Sequence, residues 1–153
     1  MNVLNEYSQI KEVAIRSPLN SFIDDNKLSS EWEALRFHSK PDFKEAINEY
    51  TYFRSLLEDD GISIIDLPSS ELLTIDSIYT RDSILITKEG LILCNMGRSS
   101  RTPEAKENFN TLSSKGYKIA GQIKAPGTLE GGDFIWIDDH HAAVGLGPRT
   151  NAE

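Results

Sequence analysis

The sequence has few cysteines and few basic residues. The first shortage excludes a disulfide framework, and the second argues against a nucleic-acid partner. Cys94 is the only cysteine, so an internal disulfide framework is excluded. There are 24 acids against 16 bases, and a net charge of −8 argues against a nucleic-acid partner, which requires a basic surface. No apolar run reaches membrane-spanning length, and the first eleven residues lack the apolar region of a signal peptide. We therefore expect a soluble, cytoplasmic protein that binds neither nucleic acid nor membrane.

The length of 153 residues suits a single domain, and short apolar runs alternate with helical patterns, as in an α/β fold. Residues 17–28 show no periodicity and are predicted to be irregular. Three capping patterns predict helix starts: Ser30 with Glu33, Thr102 before Pro103, and Thr150 with Glu153. The last pattern predicts a helix from Asn151, and we expect the chain to be the N-terminal portion of a longer protein.

The segment Glu130-Gly131-Gly132-Asp133 is the main candidate for a functional turn. Two adjacent glycines mark a close backbone approach or an unusual backbone conformation, and a carboxylate stands on each side of them. An apolar, strand-like run follows at once, and ligands of open α/β folds bind where strands end. The alternative interpretation is an ordinary glycine turn with solvated acids.

The chain also contains an internal repeat, with units at about residues 76–123 and 127–153. Each unit consists of an acid, a strand, a polar turn, a second strand, glycine and Arg-Thr. The acids Asp82 and Asp133 are 51 residues apart, and the arginines Arg101 and Arg149 are 48 apart. Because the two ends of a hairpin lie close together, each unit is expected to bring an acid and a base to one rim.

These acids and arginines suit a ligand that carries both charges. A planar guanidinium donates paired hydrogen bonds to a carboxylate, so several carboxylates suit a guanidinium and two arginines suit a carboxylate. Arginine or a close relative carries both groups. The alternative is that Asp82 and Glu130 simply form ion pairs with Arg101 and Arg149.

In this order, the motifs resemble a known family. Asp76-Ser-Ile-Tyr-Thr-Arg-Asp82, Arg101, Leu129-Glu-Gly-Gly-Asp133 and Gly145-Leu-Gly-Pro-Arg-Thr-Asn151 are similar to the guanidino-group-modifying enzymes of the pentein fold, dimethylarginine dimethylaminohydrolases above all. The resemblance covers the chain from Val13 to Glu153. It implies an α/β propeller of modules around a pseudo-fivefold axis, of which residues 1–153 would be one incomplete domain, about half of the whole.

The resemblance also implies roles for individual residues. Asp76 and Asp82 would bind the substrate guanidinium, and Glu130 would hold its nitrogens and orient a catalytic histidine. Arg101 and Arg149 would bind the α-carboxylate. Supporting roles fall to Asp133 and to Arg81, which departs from the vertebrate-type pattern, where an acid stands, and leaves the choice of substrate open.

Family members use a cysteine thiolate and a histidine, and neither occurs here at the expected place. Cys94 lies in an apolar run, which is typical of an inert buried cysteine. His140 and His141 lie in a predicted hairpin turn, and His38 is predicted to lie in a surface loop. No third ligand has metal-site spacing, so neither a metal nor another cofactor is expected.

Several alternatives stay open at this stage. The enzyme would hydrolyse arginine or methylated arginine, but a deiminase or an amidinotransferase of the same superfamily is the alternative. The short distance from Asp82 to Glu130, 48 residues, disfavours arginine deiminases, which carry a helical insertion there. A noncatalytic pentein that binds a ligand or a partner is an alternative of another class. The expected partner is a small guanidino substrate, and a homodimer is left open.

Overall fold

The computed structural model describes residues 6–153, which form two compact units. The N-terminal unit is Ile10–Tyr79, and the C-terminal unit consists of residues 6–9 and Thr80–Glu153. Each unit contains α and β elements. No helix among the described residues is long and apolar enough to cross a membrane.

In the N-terminal unit, two parallel strands are covered by helices. Strand β1 (Glu12–Ile15) pairs with β2 (Ser63–Asp66), and helices α1 (Pro18–Ser21), α2 (Asp25–Glu31) and α3 (Phe43–Asp59) lie between them in sequence. An aspartate caps each of the two longer helices: Asp24 accepts from the backbone of Lys27 in α2, and Asp42 accepts from Glu45 in α3. The apolar core is formed by Phe22, Leu28, Leu35 and Ile75.

Two predictions for this unit were wrong. Residues 17–28 are not irregular, because α1 and most of α2 lie there. Ser30 does not begin a helix; it lies in the last turn of α2, where its hydroxyl donates to the carbonyl of Lys27. Asp24 supplied the cap instead, and a buried Leu28 gave this short helix its place in the core.

The C-terminal unit contains both predicted hairpins. Strands β3 (Ile84–Ile86) and β4 (Leu91–Leu93) are antiparallel, and β5 (Ile119–Gln122) is parallel to β4 after helix α4 (Glu104–Ser114). Strands β6 (Phe134–Trp136) and β7 (Ala142–Val144) form the second hairpin. The hairpin predictions are thereby confirmed, whereas the boundaries of the repeat units and the single-domain organisation stay predictions.

Two capping predictions in this unit were wrong. Thr102 does not cap α4: Pro103 holds the cap position, and the Thr102 hydroxyl donates to the carbonyl of Ser99. Thr150 does not form the predicted cap, because the amide of Glu153 donates to the side chain of Asn151 instead, while the helix from Asn151 stays a prediction, since three residues cannot close a helical turn. The buried hydroxyl of Thr150 donates to Asp133, at 2.6 Å. In both cases a tertiary or turn contact takes the hydroxyl that the local pattern assigned to a helix.

Candidate functional site

The site is a cluster of acids and arginines in the C-terminal unit, where the ends of the two hairpins meet. Asp82 ends the 3₁₀ turn Thr80–Asp82 and directly precedes the first hairpin. Its Oδ2 accepts a hydrogen bond from Nη1 of Arg101 at 2.7 Å. Its Oδ1 accepts from the backbone amide of Gly132 at 3.1 Å. One carboxylate therefore joins the arginine of the first hairpin to the glycine turn before the second.

Arg101 is buried and bound by acids on two edges of its guanidinium. Its side chain is 1% exposed. Nε and Nη2 donate to the two oxygens of Glu104 at 2.7 and 2.9 Å, while Nη1 lies 3.9 Å from Oε2 of Glu130. Burial opposes the charge of Arg101, but the hydrogen bonds and charges of Glu104 and Asp82 outweigh it, so the pKa of Arg101 is raised. The guanidinium is therefore permanently charged and fixed in its plane.

Glu130 is the buried acid beside the glycine pair. Its side chain is 3% exposed, and its Oε2 accepts from Nη1 of Arg149 at 2.9 Å. Its Oε1 is buried and has no hydrogen-bond partner among the described residues. Burial raises the pKa of this carboxyl, against the lowering effect of Arg149 and Arg101. Glu130 thus has one oxygen left for a further donor and a raised affinity for a proton.

The glycines of the motif allow close backbone contacts. A Cβ at Gly131 would overlap the carbonyl oxygen of Arg81, and a Cβ at Gly132 would lie 2.7 Å from Oδ1 of Asp82. Gly97, between the first hairpin and Arg101, packs in the same way against the backbone of Arg149. At Gly131 and Gly97 a Cβ would meet backbone atoms and prevent the close approach, whereas at Gly132 it would displace the carboxylate of Asp82.

Thr150 and Asp133 hold the turn around Glu130. The Thr150 hydroxyl accepts from the Glu130 backbone amide at 3.1 Å and donates to Oδ2 of Asp133 at 2.6 Å. Next to Thr150, Arg149 has a side chain that is 48% exposed. Arg149 is therefore the arginine of the cluster that solvent and a ligand can reach.

Four of the predicted site residues come together in this cluster: Asp82, Arg101, Glu130 and Arg149. Asp133 supports its turn. The structure pairs Asp82 with Arg101 and Glu130 with Arg149, as the ion-pair interpretation expects.

Two predicted residues remain, Arg81 and Asp76. Arg81 donates to the carbonyl of Phe134 at 3.0 Å and pairs with Glu6 at 3.2 Å, so it binds the backbone of the second hairpin. Asp76 belongs to the N-terminal unit and is buried, with 4% of its surface exposed.

Sequence reasoning missed Glu104 and the role of Thr150. Glu104 belongs to none of the motifs, although it follows Arg101 by three residues, a spacing at which a salt bridge forms. Neither the burial of this pair nor the hydrogen bonds of Thr150 across 17 and 20 residues could be seen in a local pattern.

The cysteine and histidines of the chain stand outside this chemistry. Burial raises the pKa of the Cys94 thiol to about 12, so it stays protonated at neutral pH, as predicted for an inert cysteine. His140 and His141 lie in the exposed turn of the second hairpin, where Asp138 accepts from both backbone amides. His38 is exposed. No group of His, Cys, Asp or Glu that could hold a metal occurs in the described part of the chain.

The chain is similar to several known proteins. A family model described as N,N dimethylarginine dimethylhydrolase, eukaryotic, matches residues 23–153. An N(G),N(G)-dimethylarginine dimethylaminohydrolase of Pseudomonas aeruginosa is 29% identical over 94% of the chain and 53% of its own length. An uncharacterized protein of Aeropyrum pernix is 33% identical over 72% of the chain and 41% of its own length. The chain thus spans about half the length of the curated relatives it matches.

Solved structures show the same fold. A dimethylarginine dimethylaminohydrolase variant from Pseudomonas aeruginosa, complexed with citrulline, matches 95% of the chain and 53% of its own length, at 27% identity and a TM-score of 0.75. The N-terminal domain of the arginine dihydrolase ArgZ matches at 12% identity, a TM-score of 0.72 and 51% of its length, which shows a shared fold alone. The predicted pentein-type α/β fold is confirmed. The chain belongs to the dimethylarginine dimethylaminohydrolase family of the pentein superfamily.

Proposed function

We propose that this chain supplies the substrate-binding acids and arginines of a hydrolase that acts on the guanidino group of arginine or methylated arginine. The observation that carries the proposal is the pairing of two acids with two arginines in one cluster. A ligand with a guanidinium and a carboxylate can replace both internal pairs and leave no buried charge unpaired. A ligand of one charge alone would leave an acid or an arginine without a partner, which is costly in a buried site.

Each residue of the cluster has a role in this proposal. Asp82 and the open Oε1 of Glu130 bind the guanidinium nitrogens, and Asp76 is proposed as a further acid for the same group. Arg149, which is half-exposed, binds the α-carboxylate. Arg101 also binds the α-carboxylate, once Asp82 exchanges its hydrogen bond from Arg101 for one from the ligand. The raised pKa of Glu130 suits a group that holds and orients a proton-transfer partner.

The chemistry requires a nucleophile from outside these 153 residues. A cysteine thiolate attacks the guanidinium carbon and forms a C–S bond; the C–N bond to dimethylamine breaks as a histidine protonates the amine. Water, which gives a proton to the histidine, then attacks the same carbon; the C–S bond breaks, and citrulline, the thiolate and a second proton are released. Cys94 does not qualify, because its thiol is buried and its pKa is about 12.

Binding and turnover test the proposal separately. Calorimetric titration of this chain with N,N-dimethylarginine should show binding, and Asp82→Asn should weaken it by about 10- to 100-fold, the value of a charge-assisted hydrogen bond. Asp139→Asn is the matched control, because this turn residue is about half exposed and its salt bridge is to an exposed Lys88. Equal affinities for the two variants would remove Asp82 from the site.

Product analysis tests the reaction itself. The protein encoded by the intact gene should release citrulline and dimethylamine from N,N-dimethylarginine, whereas ammonia released from arginine would identify a deiminase. This chain alone should release neither. Citrulline formed by the 153 residues alone would refute the assignment of the nucleophile to a position outside them.

A further inference from the structure

We propose that Glu104 is a positioning residue of this site: by binding Nε and Nη2 of Arg101, it fixes that guanidinium so that Nη1 is the nitrogen that faces Asp82, with Glu130 at 3.9 Å. Oε1 of Glu130 then stays open to a guanidino ligand, and Asp82 accepts from one nitrogen of Arg101. The identity of the ligand rests on the function proposed above, whereas the effect of Glu104 on Arg101 and Glu130 can be measured without any substrate.

The contact between Glu104 and Arg101 fixes the plane of the guanidinium. Both oxygens of Glu104 accept, one from Nε at 2.7 Å and one from Nη2 at 2.9 Å. This two-point contact is the most directional that a carboxylate and an arginine can make. Because Glu104 is fully buried, water does not compete for either bond. Nη1 is thereby directed to Asp82, at 2.7 Å, with Glu130 at 3.9 Å.

Helix α4 holds Glu104 in place relative to Asp82. Glu104 is the first residue of α4, where the helix dipole favours an acid. One turn later, the buried Asn108 donates to the hydroxyl of Ser83 at 2.8 Å, and Ser83 directly follows Asp82. The helix that carries Glu104 is therefore hydrogen-bonded to the segment that carries Asp82, and the two acids approach Arg101 from fixed positions.

Glu104 also sets the charge that the ligand meets. Arg101 contributes one positive charge, and three carboxylates lie within 3.9 Å of its nitrogens. With Glu104 ionised, three carboxylates face two guanidinium groups, those of Arg101 and Arg149, and one negative charge is left to attract a cationic ligand. Without that charge, Arg101 would bind Asp82 and Glu130 more strongly and would compete with the ligand for the same oxygens.

The matched control for this role is Glu107. It lies in the same first turn of α4, so its loss affects the helix dipole equally, but no salt bridge joins it to Arg101. Glu104→Gln and Glu107→Gln therefore differ in the arginine contact and share the effect on the helix terminus.

The experiment measures the pKa of Glu130 by carbon NMR and the affinity for N,N-dimethylarginine by calorimetry. It uses the 153-residue chain and both variants. In Glu104→Gln we expect the pKa of Glu130 to fall, because Arg101 acts on it undiminished, and ligand affinity to drop by about tenfold or more. In Glu107→Gln both values should equal those of the unmodified chain. A residue that only stabilised α4 would lower the melting temperature and change neither value.

The outcomes separate this inference from the proposed function. An unchanged Glu130 pKa in folded Glu104→Gln overturns the positioning role, whatever the ligand. If the unmodified chain binds no N,N-dimethylarginine, the proposed function fails, and the Glu130 titration still decides the inference. If Glu104→Gln does not fold, Glu104→Asp keeps the charge but cannot reach both nitrogens. Its affinity should drop while the pKa of Glu130 stays near its original value, and an unchanged affinity overturns the inference.

Discussion

The buried arginine at the centre of the cluster gives the sharpest test of the energetics. Arg101→Met replaces the guanidinium with an apolar side chain of similar length and flexibility. The change removes two hydrogen bonds to Glu104 and one to Asp82. It leaves two carboxylates, one fully buried and one 19% exposed, without their shared cation.

We expect Arg101→Met to lower the free energy of unfolding by about 3–5 kcal/mol, as for other buried ion pairs that lose one partner. The double variant Arg101→Met/Glu104→Gln removes the charge of the fully buried acid as well. The free energy of unfolding should fall less in the double variant than in the single variant, by about 1 kcal/mol or more. The reason is that a buried pair that is replaced on both sides leaves no uncompensated charge. Stability should thus rise when the second group is removed.

Urea denaturation followed by the fluorescence of Trp136 measures this quantity in the C-terminal unit, with Trp32→Phe to remove the other tryptophan. Arg81→Met is the control in the same unit. The Arg81 side chain is 60% exposed and pairs with a partly exposed Glu6, so its loss should cost below about 1 kcal/mol.

Two results would refute the reasoning. If Arg101→Met lowers the free energy of unfolding no more than Arg81→Met does, the buried pair of Arg101 and Glu104 does not contribute to stability as its burial implies. If the double variant is less stable than Arg101→Met by the full cost of Glu104→Gln alone, the two residues are independent and the bidentate contact has no coupling energy.

Two further predictions concern packing and the thiol. Gly131→Ala should destabilise the protein by about 1–3 kcal/mol, because its Cβ would overlap the carbonyl of Arg81, whereas Gly147→Ala meets nothing within 4 Å and should be near neutral in thermal unfolding. The pKa of Cys94 is raised from 9.0 to about 12, so its contribution to stability is complete below pH 9 and is lost as pH rises to 12, by about 1.4 kcal/mol per pH unit. In Cys94→Ala, the free energy of unfolding should fall less steeply between pH 9 and pH 12. Equal slopes for the variant and the unmodified chain would contradict this prediction.

Elements with a repeating or doubled pattern were predicted well from the sequence. The two hairpins agree with the structure. Predictions that rested on one residue's capping preference failed at Ser30, Thr102 and Thr150. A hydroxyl has several acceptors within reach in a folded chain, so its partner depends on what packing brings near it.

The sequence by itself determined which charged groups the protein has and where they stand along the chain. The order of Asp82, Arg101, Glu130 and Arg149, and the glycines between the hairpins, were sufficient to predict the fold family and a cluster of acids and arginines. Only the tertiary structure decided which of these charged groups pair with each other and which are buried. Burial depends on contacts between segments that are far apart in the chain, and those contacts make Glu104 the two-point partner of Arg101, leave Oε1 of Glu130 open and expose Arg149.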